Sequence, residues 1–109
     1  MTRLVTIAGA QLGPIELEHS RAEVVERLLV LMRDAADRGA ELVVFPELAL
    51  TTFFPRWWFD DQSAIDAFFE RSMPGPDTAP LFDEATRLGV GFALGYAELA
   101  IDGSGTEHR

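Results

Sequence analysis

The chain has 109 residues, is 48% hydrophobic and 25% charged, and sets 9 basic side chains against 18 acidic ones, a formal net charge of −9. Its length allows one domain at most, and its composition is that of an ordinary globular chain rather than a disordered one. The charge argues against a nucleic-acid partner, since no basic cluster exists to neutralise phosphates. With no cysteine, these residues hold no disulfide, thiolate metal site or thiol nucleophile. All nine cations are arginine, so lysine is absent as well. No apolar run approaches the ~20 residues of a membrane span. The segment before Gln11 is too short and too alternating for a signal peptide. The cytoplasm is therefore the default expectation, with no membrane partner.

Leu4 to Ala10 reads as a first strand, apolar on both faces, closed by Gly9 and the Gly13-Pro14 turn. Gln11 either points its amide toward a cleft or satisfies loop backbone groups. Ser20-Arg-Ala-Glu23 has capping-box spacing. The helix it opens runs to about Arg38, with Val24, Leu28, Leu31, Met32 and Ala35 facing a sheet. Arg27, Arg33, Asp34, Asp37 and Arg38 make a mostly solvated face, and Gly39 is placed to close the helix.

Leu42 to Phe45 follows at once, a β-branched run of the kind buried on both faces. Strand, helix and strand make a βαβ unit, so the two strands are expected to be parallel and close neighbours. Pro46 ends the second strand. Glu47 then stands just past the carboxyl end of a buried strand, where ligands bind in open α/β sheets. A carboxylate there suits a general acid or base; equally, it could cap a turn or pair with an arginine.

Between Thr51 and Asp61 lie Phe53, Phe54, Trp57, Trp58 and Phe59 around Pro55. No single period fits this segment, which either plugs its own core, lines a pocket or meets another subunit. Phe53 and Phe54 are the pocket-lining candidates. Arg56 could bind an anion, but beside Asp60 and Asp61 it reads more simply as a surface ion pair. Ser63 to Asp66 opens a short helix with Ile65, Phe68 and Phe69 on its buried side, and Met73-Pro-Gly-Pro76 breaks it. Asp77 or Thr78 caps a helix to Leu88 with Leu81, Phe82, Ala85 and Leu88 inward; Gly89 closes it.

Val90 to Leu99 reads as a third buried strand whose glycines form no dinucleotide fingerprint. Glu98 could join Glu47 if the two strands are neighbours. Asp102-Gly-Ser-Gly105 is a hairpin turn with only Thr106 to Arg109 after it, as though the chain stops inside a supersecondary unit. His19 and His108 have no metal-ligand spacing and are expected to be solvated. No metal or cofactor is expected.

The run Phe45-Pro-Glu-Leu-Ala-Leu-Thr-Thr-Phe-Phe-Pro-Arg-Trp57 resembles the first catalytic segment of the nitrilase superfamily of carbon–nitrogen hydrolases, and within it the N-carbamoyl-D-amino acid amidohydrolase (D-carbamoylase) branch. Met1-Thr-Arg3, Gln11-Leu-Gly-Pro14, Met73-Pro-Gly-Pro76, Pro80-Leu-Phe82 and Gly89 to Leu99 extend the match over essentially the whole chain. The resemblance implies an α/β fold, the N-terminal part of a four-layer α-β-β-α sandwich. Residues 1–109 would be the N-terminal portion of a single hydrolase domain, cut to about its first third. In that portion the inner sheet face would lack its partner.

The resemblance also implies a Glu–Lys–Cys triad. Glu47 would be the general base, the lysine would steady the oxyanion and the cysteine would form a covalent intermediate. The reaction implied is conversion of an N-carbamoyl-D-amino acid to the D-amino acid, carbon dioxide and ammonia. Lysine, cysteine and the arginines for the substrate carboxylate fall beyond residue 109 in the family pattern, so the chain alone is expected to be inactive. The implied partners are a small amide or carbamoyl substrate and, in the complete enzyme, further copies of itself. The alternatives are a non-enzymatic α/β binding module that uses the aromatic segment as a contact surface, or one half of a split enzyme.

Overall fold

A computed structural model describes residues 2–109; Met1, part of the Met1-Thr-Arg3 match, lies outside the described residues. Three parallel strands form the sheet: β1 (Ile7–Gly9), β2 (Leu42–Val44) and β3 (Gly91–Ala93), in the order β1-β2-β3. The register aligns Ile7, Leu42 and Gly91 across the sheet, then Ala8, Val43 and Phe92. The long helix α1 (Arg21–Asp37) links β1 to β2. The connection from β2 to β3 carries a 3-10 turn (Phe54–Arg56), the short α2 (Gln62–Asp66) and α3 (Ala79–Leu88). The chain is thus a mixed α/β unit with a parallel sheet, and the expected βαβ unit is present with its strands adjacent.

The local chemistry explains α1. Ser20 accepts a hydrogen bond from the Glu23 amide, and the Glu23 carboxylate accepts one from the Ser20 amide. Two amides that the helix cannot satisfy itself are thereby satisfied, a contribution of ~1 kcal/mol. At the other end the Ala40 amide donates back to the Ala35 carbonyl, which requires the positive φ of 86° that Gly39 adopts.

Val24, Leu28 and Met32 are wholly buried on the sheet-facing side of α1, flanked by Val25, Leu29 and Ala35. Leu31, expected among them, is only half-buried, because the stripe runs through Val25 and Leu29 instead. Helix α3 adds Leu81 and Ala85, with Phe82 and Leu88 half-buried beside them. Val43 at the centre of β2 is wholly buried beneath both helices. Thr78 precedes α3 without capping it by side chain; its buried hydroxyl accepts from the Gly75 amide instead.

Alternation along the strands leaves the other sheet face open. Val5, Ile7 and Val44 point away from the helices and are 47%, 58% and 39% exposed. Three further expectations are corrected. Regular pairing of the third strand ends at Ala93, and Glu98 pairs instead with Glu70 in an isolated parallel bridge. The Asp102 turn does have its return: β4 (Ala100–Ile101) pairs antiparallel with β5 (Glu107–His108). Helix α2 is capped by Asp61, whose carboxylate accepts from the Ser63 amide and hydroxyl, not by Ser63.

Candidate functional site

The centre of the candidate site is a turn at the carboxyl end of β2. The Phe45 amide donates to the Ala93 carbonyl (2.9 Å) and the Ala49 amide to the Gly95 carbonyl (3.0 Å). These two bonds carry the pairing past the formal ends of β2 and β3 and clamp Pro46, Glu47 and Leu48 between them. A Cβ placed on Gly95 would lie 3.2 Å from the Glu47 Cα and 3.4 Å from the Leu48 amide nitrogen. Glycine at 95 is therefore what lets the two backbones meet. Leu48 has a φ of 49°, a left-handed conformation that costs a branched side chain about 1–3 kcal/mol. That reversal turns the chain sharply after Glu47 and leaves the Glu47 side chain facing solvent.

Glu47 lines a cleft of about 240 Å³. One wall is the Leu12–Glu16 loop. Arg27 of α1 fixes that loop by donating to the Leu12 carbonyl (2.7 Å) and the Pro14 carbonyl (2.9 Å). Arg27 was expected on a solvated face, but its two carbonyl partners make it a positioning residue for this wall. The Thr51–Arg56 segment contributes Thr51, Thr52, Phe53 and Arg56 to the same lining.

The two phenylalanines expected at the pocket part company. Phe53 lines the cleft and is 55% exposed, whereas Phe54 is buried in an aromatic cluster, stacked on Phe68 at 5.0 Å and tilted against Phe69 at 5.5 Å. Consecutive residues on a 3-10 turn point in different directions, so one anchors the segment and the other faces the cleft.

Arg56 does not form the expected ion pair. Asp60 accepts from the Trp58 indole (2.8 Å), and Asp61 is engaged in capping α2. The Ser63 hydroxyl and amide hold the Asp61 carboxyl below its ordinary value. The Arg56 guanidinium lies over the Trp57 ring at 4.8 Å from the centroid, a cation–π contact.

The remaining candidates lie elsewhere. Glu98 is exposed beside Glu70, away from the residues that line the Glu47 cleft, so the two carboxylates form no pair there. Glu70 itself makes a part-buried ion pair with Arg21, which ties the start of α1 to this bridge. Gln11 is exposed and outside the cleft. His19 is exposed and accepts from the Glu16 amide; His108 is exposed and bonds to Asp102. Among the described residues no group of three or more His, Cys, Asp or Glu could hold a metal ion, and no helix is long and apolar enough to cross a membrane.

Arg27, Leu48 and the contact of Gly95 with the Glu47 turn are the site features that sequence reasoning missed; Arg56 is named there as a residue that could bind an anion. Of the three, Gly95 leaves a trace in the sequence, as a glycine interrupting an apolar run.

The cleft, with a strand-end carboxylate in it, lies at the carboxyl edge of a parallel sheet, the edge at which ligands bind in open α/β sheets. The carbon–nitrogen hydrolase family profile matches residues 6–107, and the chain belongs to that family, within the nitrilase superfamily. A curated protein described as Nitrilase 2, from an unknown prokaryotic organism, is 31% identical to it over 102 residues. That match covers 87% of this chain and 32% of the relative, so the chain spans about a third of the relative's length.

Proposed function

We propose that this chain supplies the general base, Glu47, and one side of the substrate cleft of an enzyme that hydrolyses N-carbamoyl-D-amino acids to the D-amino acid, carbon dioxide and ammonia. The observation that carries the reading is the Glu47 turn. A carboxylate without an ion-pair partner among the described residues stands in a cleft at the end of the central parallel strand, held there by Gly95 and by the left-handed Leu48. Membership of the carbon–nitrogen hydrolases supports hydrolysis of carbon–nitrogen bonds. The run from Phe45 to Trp57 supports the carbamoyl substrate.

In this reading Glu47 takes the proton from a cysteine thiol as the thiolate adds to the carbamoyl carbon, returns a proton to the departing nitrogen, and then takes one from the attacking water. A lysine ammonium stabilises the oxyanion at each addition. These 109 residues contain neither lysine nor cysteine. They can position and deprotonate, but they cannot form the covalent intermediate. Self-association of the complete enzyme belongs to the same proposal and is read by its mass in solution.

The test is ammonia release from N-carbamoyl-D-phenylalanine, by the 109-residue chain and by the product of the full reading frame. Turnover is expected only from the longer protein, and for the D over the L enantiomer. Turnover of a simple nitrile or an unsubstituted amide, with none of the carbamoyl substrate, would move the assignment to another branch of the family. Turnover by the short chain would require a nucleophile other than cysteine.

A further inference from the structure

We infer that Arg56 is a specificity-determining residue of the Glu47 cleft: it binds the anionic end of the substrate and so selects carboxylate-bearing substrates over neutral ones. This rests on the hydrolase reading above and deepens it. The family resemblance assigns the carboxylate-binding arginines to positions outside these residues; the structure adds one within them.

The first observation is a contrast among the arginines. Eight of the nine are engaged by carboxylates or carbonyls. Arg3 meets Glu41, Arg21 meets Glu70, Arg33 meets Glu26 and Glu84, and Arg38 meets Asp34. Arg71 meets Glu107, Arg87 meets Glu84, and Arg109 meets Asp66 and Glu107. Arg27 holds the Leu12 and Pro14 carbonyls. Among the described residues Arg56 alone has no such partner, in a chain with twice as many acids as bases.

The second observation is how it is held. The Arg56 guanidinium carbon lies 4.8 Å from the Trp57 ring centroid, and a contact with a ring does not consume the five N–H donors of the guanidinium. Those donors form the fork that matches a carboxylate with two parallel hydrogen bonds. The third is place. Arg56 ends the same 3-10 turn that sets Phe53 in the cleft, and it lines that cleft with Glu47. A substrate in that cleft would have both a carboxylate base and a guanidinium cation in its lining. Among the described residues that line the cleft, Arg56 is the cation set against the carboxylates of Glu16 and Glu47.

The test uses the product of the full reading frame and its Arg56→Gln variant, with two readouts. The first is the ratio of kcat/KM for N-carbamoyl-D-phenylalanine to that for N-carbamoyl-D-phenylalaninamide. In Arg56→Gln this ratio is expected to fall about 10- to 100-fold, the effect of losing hydrogen bonds to a charged group. The loss is expected mainly through KM for the acid. The second readout needs no turnover. Trp57 and Trp58 are the only tryptophans in the 109 residues, so difference fluorescence between the protein and its Trp57→Phe variant isolates the ring beneath Arg56. Titration with N-acetyl-D-phenylalanine is expected to saturate at far lower concentration than with its carboxamide, and Arg56→Gln is expected to abolish that preference.

An acid-to-amide preference unchanged by Arg56→Gln, in either readout, overturns the role of Arg56 and leaves the hydrolase reading standing. No turnover of either carbamoyl compound, with an acid preference in binding that Arg56→Gln abolishes, overturns the substrate reading and upholds Arg56.

Discussion

Glu47→Gln in the product of the full reading frame is expected to lower kcat by roughly 10³- to 10⁴-fold and to leave the melting temperature essentially where it was. The two halves of that statement come from different features. Glutamine keeps the shape of the side chain and an oxygen acceptor but cannot take a proton at neutral pH, so every proton transfer assigned to Glu47 is lost. The fold, by contrast, asks little of this carboxylate. Glu47 is exposed, and among the described residues its side chain makes neither an ion pair nor a hydrogen bond. Exposed substitutions of that kind usually change stability by less than about 0.5 kcal/mol. The competing view of Glu47 as a structural cap or ion-pair member makes the opposite forecast, a lower melting temperature with activity retained. Steady-state kinetics beside a thermal melt separates them, and a kcat within a few-fold of the parent would remove Glu47 from the chemistry.

The second large effect is expected at a residue that carries no functional group. Gly95→Ala should reduce kcat by about 10- to 100-fold with a much smaller effect on stability. The new methyl would sit 3.2 Å from the Glu47 Cα, 3.4 Å from the Leu48 nitrogen and 3.6 Å from the Pro46 oxygen. All three are backbone atoms of the turn that carries the candidate base, so relief comes only by moving that turn. The Ala49-to-Gly95 hydrogen bond limits how far the two segments can separate. A displacement of a few tenths of an ångström spoils a proton transfer long before it unfolds a sheet. Alanine also restricts the unfolded chain, which offsets part of the strain in the melting temperature. Gly91→Ala is the control. Its methyl would meet only the tip of the Leu42 side chain at 3.5 Å and a carbonyl at 3.9 Å, so full activity is expected. Equal losses in the two variants would mean that the effect is general to glycines in this strand rather than specific to the Glu47 turn.

What could be read from the sequence was whatever a short stretch encodes for itself. Ser20 and Glu23 cap α1 through atoms three residues apart, Gly39 closes it, and the helical spacing of Val24, Leu28 and Met32 defines its buried face. Pro46 cuts β2, and that placed Glu47 at a strand end before any contact was known. Features that depend on distant partners were not legible. Phe53 and Phe54 are chemically identical neighbours, and only Phe68 and Phe69 decide which of them is buried. Proximity in sequence pairs Arg56 with Asp60 and Asp61, yet Trp58 and Ser63 engage those carboxylates. The stretch from Val90 to Leu99 has the composition of one long strand. Its second half instead follows the Glu47 turn and then Glu70, so regular pairing stops at Ala93. The return of the Asp102 hairpin was overlooked because two residues are too few to carry a strand pattern, although they are enough to close a ladder.

The open sheet face, with Val5, Ile7 and Val44 side by side, governs how this chain behaves as a solute. Its net charge of −9 keeps molecules apart only while the field reaches beyond their surfaces. Added salt shortens that reach to about 8 Å at 0.15 M, whereas the apolar attraction is left intact or strengthened by sulfate. Warming strengthens it as well. A concentrated solution of the 109 residues should therefore stay clear when cold and low in salt, and cloud on warming or on addition of sulfate. Light scattering at 5 °C and 30 °C would show this. An assembly held by ion pairs would respond to salt in the opposite sense.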